Sequence, residues 1–308
     1  MTQVLLYWNH ICVLHRQEKA FLEKLAQALH AEDIELTVRY FGLGYPEHMS
    51  EYLAKPDAIL PDILVSADLE VFEDARLFGK LSPTLYPARS FVPLRNSAAL
   101  TVCERGEQLL PFLAIPLVYF TREESAALDK SLCEMDGLCV GGVNNSAVKT
   151  VVKTLLSRDG EDATARFLAQ ANVSDMPIGA YQQVRMGAGR TALVPSLYAL
   201  RADGGQTHLV TPRGGPLLIP SYFAARTSIP ESIARRIANA ILCQELCDFY
   251  AANGDLLVFP ACTTLTSHQE GDRYLAPAQD WLAHYDPAAF EDFYQKHVSG
   301  ARKLFSES

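Results

Sequence analysis

Residues 191–226 read TALVPSLYALRADGGQTHLVTPRGGPLLIPSYFAAR, and the order of elements in this stretch decides the fold. The stretch begins with the apolar run Thr191–Val194 and includes a second apolar run, Leu217–Ile219, and each run is typical of a buried strand. Between them, Gly204-Gly205 and the PRGGP segment at 212–216 interrupt any single packed element. The stretch therefore predicts two strands joined by an irregular crossing, so that one domain is interrupted and later resumed.

Strands and helices alternate on both sides of this stretch. Further apolar runs predict strands at residues 4–8, 35–41, 61–65, 110–120 and 138–140. Helical spacing of apolar residues predicts helices at 16–31, 146–156, 163–171, 179–186 and 230–253, and two more in the tail at 277–305. Because parallel strands need a crossover connection, this alternation predicts right-handed βαβ units with helices on both faces of a parallel sheet.

Composition excludes several classes of protein. The 308 residues suffice for two domains, and 49% hydrophobic residues with 20% charged ones exclude intrinsic disorder. A net charge of -9 gives no basic footprint, which argues against nucleic-acid binding. No apolar run approaches the roughly 18 residues of a membrane span, so we expect no membrane insertion.

The N-terminus and the cysteines bear on the compartment. Met1-Thr2-Gln3 leads directly into the apolar run 4–8 and lacks the basic start of a secretory signal. Seven cysteines is an odd number with no paired framework, which favours a reducing compartment and free thiols. We therefore expect a cytoplasmic protein if Met1 is native, and a periplasmic or cell-surface protein if the chain has been processed.

Four motifs follow one another in a characteristic order over nearly the whole chain. They are the opening strand and helix, PDILVSADLEVF (61–72), GVNNSAVKTVVKTLL (142–156), and GRTALVPSLYAL (189–200) followed by TPRGGPLLIPSYFAAR (211–226). In this order the chain resembles the type II periplasmic solute-binding proteins, the substrate-binding components of ABC transporters. It looks most similar to the branch that includes iron- and oxyanion-binding proteins. The adjacent Tyr-Tyr pair typical of the iron binders is not found, since Tyr198 and Tyr222 stand alone.

The resemblance implies an α/β fold with two lobes, each a mostly parallel sheet flanked by helices. Lobe 1 would comprise residues 1–88 and 208–308, and lobe 2 residues 89–207, with the crossings near residues 82–95 and 202–215 acting as a hinge. A solute would be held in the cleft between the lobes. The resemblance further implies a monomer that binds a small molecule or anion, with an ABC permease as a second partner left open, and no cofactor.

Candidate ligand-binding residues in the first part of the chain follow predicted strands. Asn9 and His10 come after the opening strand, where the resemblance puts the first ligand-facing turn; the alternative is a capping loop with a satisfied histidine. Ser66 follows the third strand and supplies either a ligand hydroxyl or an ordinary N-cap. Strand ends of this kind face ligands in open parallel sheets, often against helix N-termini that favour anions.

The second group of candidates lies later in the chain. Asn144, Asn145 and Ser146 occupy a strand-to-helix turn, where their N–H groups could converge on one acceptor, although plain N-capping selects the same residues. Ser196 and Tyr198 follow the strand that precedes the crossing, and Tyr222 follows the return strand. A lone tyrosine is also common at the edge of a core.

The sequence also bears on two other kinds of site, a metal site and a catalytic site. The spacing of His10, Cys12 and His15 does not match a structural zinc pattern, and the chain contains no CxxC, so no metal site is predicted. No GxSxG, P-loop, HExxH or GxGxxG motif in a nucleotide-binding context is found. A few enzymes use a cleft cysteine on the type II fold, which leaves an enzyme with Cys12 and His10 as the alternative.

Together these observations predict a non-catalytic protein that captures a small polar or anionic ligand, as a transporter component or a related sensor. An oxyanion, a carboxylate and a chelated metal fit the same polar groups, so the sequence does not name the ligand.

Overall fold

The computed structural model describes residues 1–11, 13–42, 44–123, 130–143, 146–201, 206–264 and 273–302. In the described part, the strands are β1 (Thr2–Asn9), β2 (Ile34–Phe41), β3 (Ile63–Ser66), β4 (Leu110–Thr121), β5 (Cys139–Gly141), β6 (Asn172–Ser174), β7 (Thr191–Pro195), β8 (His208–Val210), β9 (Leu217–Ala225) and β10 (Leu257–Val258). The α-helices there are α1 (His15–His30), α2 (Met49–Ala54), α3 (Glu70–Glu73), α4 (Ala75–Leu81), α5 (Ala98–Cys103), α6 (Ser146–Gln170), α7 (Pro177–Arg185), α8 (Glu231–Ile241), α9 (Gln244–Ala252), α10 (Gln279–His284) and α11 (Pro287–Arg302).

The chain forms two compact units. Unit 1 comprises residues 1–114 and 220–268, and unit 2 comprises residues 115–219 and 269–308. The chain changes unit three times, and the first two changes fall inside strands, because β4 and β9 each contribute residues to both units.

Unit 1 contains a sheet in which β1 pairs in parallel with β2 on one side and with β3 on the other. The antiparallel strand β9 continues the sheet beyond β3, and β10 pairs antiparallel with β4. Leu6, Ile63 and Leu64 are fully buried in these strands, and Leu22 and Leu29 of α1 belong to the same buried set. Alternating strands and helices thus produce the parallel core that the sequence predicts.

Unit 2 repeats the arrangement, with β5 between the parallel strands β6 and β7. The antiparallel strand β4 borders β7, and it also pairs with β8, a strand that the sequence pattern did not indicate. Helix α6 has a non-helical residue at Gly160, so the two predicted helices of this region adjoin at a glycine break. The central strand Cys139–Gly141 is buried, as expected for a strand covered on both faces.

The compact units are divided differently from the predicted lobes, whose boundaries fall at 88/89 and 207/208. The predicted boundary at 88/89 lies in a segment with three prolines, and that at 207/208 lies between Gly204-Gly205 and the PRGGP segment, whereas the first two changes of unit fall within the apolar strands β4 and β9. The C-terminal helices α10 and α11 belong to unit 2, while the predicted division assigned residues 208–308 to lobe 1. Helix α11 packs on α6, which accounts for this membership.

Two local predictions need correction. The predicted helix at 230–253 is two helices, α8 and α9, and Pro230 is the N-cap residue instead of lying in the first turn. The strand expected at Leu217–Ile219 continues through Pro220 to Ala225 and is buried along its whole length. Among the described helices, none combines the length and apolarity that a membrane crossing requires.

Candidate functional site

Polar residues of unit 1 lie where the parallel strands end. Asn9 is the last residue of β1, and His10 follows it directly. Ser66 is the last residue of the neighbouring parallel strand β3, and Gly42 follows β2. Because the order of these strands is β2, β1, β3, the three ends lie side by side along one edge. This edge is where open parallel sheets hold ligands.

His10 is fixed by a buried carboxylate. Its side chain and that of Glu18 are each only 1% exposed, and His10 Nδ1 lies 2.7 Å from Glu18 Oε2. The same oxygen accepts a hydrogen bond from the Ile11 N–H at 3.1 Å, and Oε1 accepts one from the Tyr250 hydroxyl at 2.7 Å. Donation from Nδ1 to the carboxylate leaves Nε2 as the ring nitrogen through which His10 can accept a hydrogen bond or bind a cation.

Aromatic rings surround the imidazole. The His10 ring stacks on Tyr40 at a centroid distance of 4.8 Å and an interplanar angle of 9°, and Tyr45 lies 5.8 Å away. Burial raises the pKa of Tyr40 to about 12, so its hydroxyl stays protonated at neutral pH. Gly42 permits this packing, because its φ of 106° suits glycine and a Cβ there would lie 3.2 Å from the His10 carbonyl oxygen.

Ser66 closes a turn at the end of β3. The residue is fully buried, and its hydroxyl accepts a hydrogen bond from the Asp68 N–H at 2.9 Å. Asp68 in turn accepts a hydrogen bond from the Ser50 N–H at 2.8 Å. Burial raises the pKa of Asp68 above its ordinary value, in spite of that hydrogen bond. The Ser66 hydroxyl therefore stabilises a local turn, which is close to the capping role that the sequence left open. Because Ser66 is buried, it exposes little surface to a solute.

Tyr222 lies in the core of unit 1. The residue is 1% exposed, and its hydroxyl donates to the Cys103 carbonyl oxygen at 2.6 Å while its ring packs edge-on against Phe72. Burial raises the pKa of Tyr222 well above its ordinary value. The hydroxyl is satisfied by the backbone, so we leave Tyr222 out of the proposed site.

The predicted residues of unit 2 also follow parallel strands. Ser146 begins α6 shortly after β5, and Ser196 follows β7 directly; both are buried. Tyr198 is 2% exposed and stacks on Tyr181 at 5.3 Å, in a cluster with Phe120 and neighbouring apolar residues. The Tyr198 ring is therefore part of the core of unit 2, as a lone tyrosine at a core edge would be.

Three predicted residues fall outside the described part of the chain: Asn144, Asn145 and Cys12. Among the described side chains, no group of three or more His, Cys, Asp or Glu residues is arranged to hold a metal ion.

The sequence analysis missed Glu18 and Tyr250. A signal for Glu18 exists, because it lies four residues before Leu22 on the buried stripe of α1, together with Leu25 and Leu29. A carboxylate on an otherwise apolar stripe is unusual and needs a partner in the core. Tyr250 carries no such signal, since its contact with Glu18 spans 232 residues.

Comparisons with known proteins place the fold. No protein-family model matches the chain, and no curated protein matches it. Iron-bound HitA from Pseudomonas aeruginosa is similar in structure, with a TM-score of 0.62 at 14% identity, over 99% of this chain and 100% of that one. Trichodesmium IdiA (FutA) in complex with iron and citrate has a TM-score of 0.61 at 11% identity, over 98% and 99% of the two chains.

A third solved structure, described as a two-component system protein that mediates signal transduction, has a TM-score of 0.61 at 11% identity, over 96% of this chain and all of that one. Bordetella ferric binding protein is similar as well, at 14% identity and a TM-score of 0.59 over 98% of both chains. At sequence identities this low, the structural similarity establishes a shared fold and nothing finer. The predicted resemblance is confirmed at that level: the chain has the α/β fold of the type II periplasmic binding proteins.

Proposed function

We propose that this protein is a solute-binding protein that captures a small polar or anionic ligand. The observation that carries the proposal is His10, a buried imidazole that Glu18 orients at the carboxyl edge of the unit 1 sheet. A histidine held in this way is preorganised, because its ring orientation is fixed before any ligand arrives. The solved structures with this fold support the proposal, since several are described as iron- or ferric-binding proteins.

The proposed ligand-binding residues of unit 1 are Asn9, His10 and Ser66, with Ser66 acting through the turn that it closes. In unit 2 we propose Ser146 and Ser196, together with Asn144 and Asn145 outside the described residues; Tyr198, whose ring belongs to the core of unit 2, is left out. The N-terminus of α6, which begins at Ser146, favours negative charge.

The orientation of His10 narrows the ligand class. With Nδ1 held against Glu18, Nε2 is the ring nitrogen left for a ligand, and an imidazole nitrogen suits a metal ion or a donor group better than a bare oxyanion. Because the described side chains offer no three-residue metal cluster, a metal ligand would bring its own chelator. We therefore favour a metal chelate or a hydroxylated carboxylate over phosphate or sulfate.

The proposal also includes the compartment of the protein and its transporter partner. Structural neighbours described as periplasmic or ferric-binding proteins support the location outside the cytoplasmic membrane, and they lend no support to the cytoplasmic expectation. An ABC permease is the partner that this location favours. A sensor is the other partner type, and one neighbour is described as a two-component system protein.

A thermal-shift and calorimetry screen tests the ligand class, with sulfate, phosphate, citrate and ferric citrate as the compounds. We expect ferric citrate or citrate to raise the melting temperature, and His10→Gln to weaken that binding at least about tenfold, as the loss of one buried polar contact does. His30→Gln, an exposed histidine at the end of α1, is the matched control and should bind normally. Equal affinity in His10→Gln, checked for folding by circular dichroism, would refute the role of His10.

The alternative is a cysteine-dependent enzyme on the same fold. The His10–Glu18 contact favours it, because a general base beside a nucleophilic cysteine is oriented by such a third group. Cys12→Ser separates the two functions: a binding protein keeps its affinity, whereas an enzyme keeps binding and loses turnover. Conversion of any bound ligand by the wild type, abolished in Cys12→Ser, would replace the binding-protein proposal.

A further inference from the structure

Three cysteines of unit 1 come together around the start of helix α9. Cys243 is the N-cap residue of α9, and Cys247 lies one turn into the helix, with its N–H donating to the Cys243 carbonyl at 3.0 Å. Cys262 comes from the segment after β10, and it lies close enough to both to interact with them electrostatically.

The segment around Cys262 is held by a contact of the cysteine itself and by two hydrogen bonds from Thr264, two residues later. Cys262 Sγ lies 3.0 Å from the carbonyl oxygen of Leu242, the residue that ends α8. Two residues on, Thr264 donates to Asp248 twice, from its N–H and from its hydroxyl, at 2.7 Å each. Asp248 is the neighbour of Cys247 in sequence, so these bonds hold Cys262 against the turn of α9 that carries Cys247.

Cys247 and Cys262 lie close enough for each thiol to act on the other, and the hydrogen bonds from Thr264 to Asp248 bring their two segments together. Cys247 is 1% exposed, whereas Cys262 is exposed at the surface. Cys262 is therefore accessible to an oxidant, whereas Cys247 is shielded from it.

We propose that Cys247 and Cys262 form a stabilising disulfide bond when a small-molecule or protein disulfide is available as the oxidant. One thiolate attacks the oxidant and forms a mixed disulfide, and the other thiolate then attacks that intermediate. The two cysteines together lose two protons and two electrons, and the oxidant's disulfide is reduced to two thiols. The new bond joins α9 to the segment after β10 and closes the loop from residue 247 to residue 262.

We expect this disulfide to form while the chain folds and not to act as a redox switch in the folded protein. Burial raises the pKa of both thiols, and the thiolate is the attacking species, so oxidation of the folded, reduced protein should be slow. While the chain folds, the two residues are accessible and the exchange can proceed. The proposal reverses the expectation of free thiols drawn from the odd cysteine count, and it rests on the geometry of this cluster independently of the ligand.

Peptide mapping tests the bond directly. The full chain, with its thiols reduced in denaturant, is refolded with oxidised and reduced glutathione, and the free thiols are alkylated before digestion and mass spectrometry. We expect a peptide pair joined between Cys247 and Cys262, with Cys103 and Cys139, both buried elsewhere, alkylated after denaturation. Alkylated Cys247, or a bond from Cys262 to Cys243 instead, would overturn the proposal.

Melting temperatures with and without reductant provide the second measurement. Reduction should lower the melting temperature of the wild type and of the control Cys139→Ser by about 5 °C, as expected for a disulfide that closes a short loop. Cys262→Ser, which changes an exposed residue and should fold, is expected to melt at the same temperature in both conditions. A wild type that is insensitive to reductant would overturn the stabilising role.

Discussion

At the scale of single residues, the buried trio of His10, Glu18 and Tyr250 is a polar arrangement that is costly to disturb. A carboxylate removed from water needs its full set of donors, and Glu18 receives them from a side chain, a backbone N–H and a distant tyrosine. The same contacts fix the orientation of the His10 ring, so stability and ligand preorganisation depend on one set of hydrogen bonds.

Removing one hydroxyl tests this coupling. Tyr250→Phe deletes a donor to the buried Glu18 carboxylate and should lower the free energy of unfolding by about 1–3 kcal/mol. Urea denaturation measures the loss, and Tyr45→Phe, at a partly exposed ring beside His10, is the control and should change stability little. If Tyr250→Phe is as stable as the wild type, the Glu18 carboxylate does not depend on that hydroxyl.

At the scale of elements, the N-cap of α4 gives a prediction about pH. Asp74 accepts hydrogen bonds from the Arg76 N–H at 2.8 Å and from Arg76 Nε at 3.0 Å. Burial acts in the opposite direction, but the hydrogen bonds and charge of Arg76 hold the pKa of Asp74 below its ordinary value. The unfolded chain therefore takes up this proton first, and the stabilisation is present above the ordinary pKa and lost as pH falls through the folded one.

Two substitutions separate the cap from its charge. Asp74→Ala removes both and should cost about 1 kcal/mol at neutral pH, whereas Asp74→Asn keeps a capping side chain and should cost less. The stability difference between the wild type and Asp74→Asn should begin to shrink below about pH 4, where Asp74 of the unfolded chain starts to be protonated, and should shrink further as pH falls through the lower folded pKa. Urea unfolding at pH 7 and pH 3 measures it, and a constant difference would show that the charge is irrelevant.

The PRGGP segment before β9 depends on a close approach of two backbones. Gly215 has a φ of 103°, and a Cβ there would lie 1.8 Å from the Arg273 carbonyl oxygen. The neighbouring hydrogen bonds from the Leu275 N–H to Pro216 and from the Leu218 N–H to Leu275 hold the two segments together.

A series of glycine-to-alanine changes isolates this contact. Gly215→Ala should destabilise unit 2 by about 2 kcal/mol or more, since strain in φ and a backbone clash add. Gly214→Ala shares the positive φ but meets only the Leu275 side chain, so it should cost about 1–2 kcal/mol. Gly79→Ala in α4 meets nothing and should stabilise by up to about 1 kcal/mol. Thermal unfolding ranks the three, and equal effects of the first two would contradict the clash.

At the scale of the whole molecule, the end of the chain belongs to unit 2. Phe290, Tyr294 and Val298 of α11 are buried, and the Tyr294 hydroxyl donates to the Val143 carbonyl oxygen at 2.5 Å. Lys149 of α6 pairs with Glu291 at 3.2 Å. The predicted division instead assigned residues 208–308 to lobe 1, and an experiment can distinguish the two assignments of α11.

Truncation provides the measurement. A chain that ends at Tyr285 should lose amide protection in α6 and β6, with exchange faster by about tenfold or more, while β1, β2 and β3 keep theirs. Hydrogen exchange read by mass spectrometry follows all of these segments in one experiment. Loss of protection in β1–β3 instead would support the predicted lobe boundaries over the compact units.

The sequence by itself determined the fold class and most of the elements. Strand runs such as 4–8 and 191–194 lie within β1 and β7, and the helix predicted at 16–31 is α1, because apolar periodicity is a local property of the chain. The same local reasoning put the candidate residues His10, Ser66, Ser146 and Ser196 at or next to strand ends, since the end of an apolar run is visible in the sequence.

Only the tertiary structure decided which of these residues have partners and what those partners are. The buried hydroxyl of Tyr222 is satisfied by the carbonyl oxygen of Cys103, 119 residues away, and the Glu18 carboxylate that orients His10 is itself held by Tyr250. The approach of Cys262 to Cys247 and the packing of α11 on α6 are decided in the same way. Periodicity reports which face of an element is buried, but the partner across the core is chosen by the packing of elements far apart in the chain.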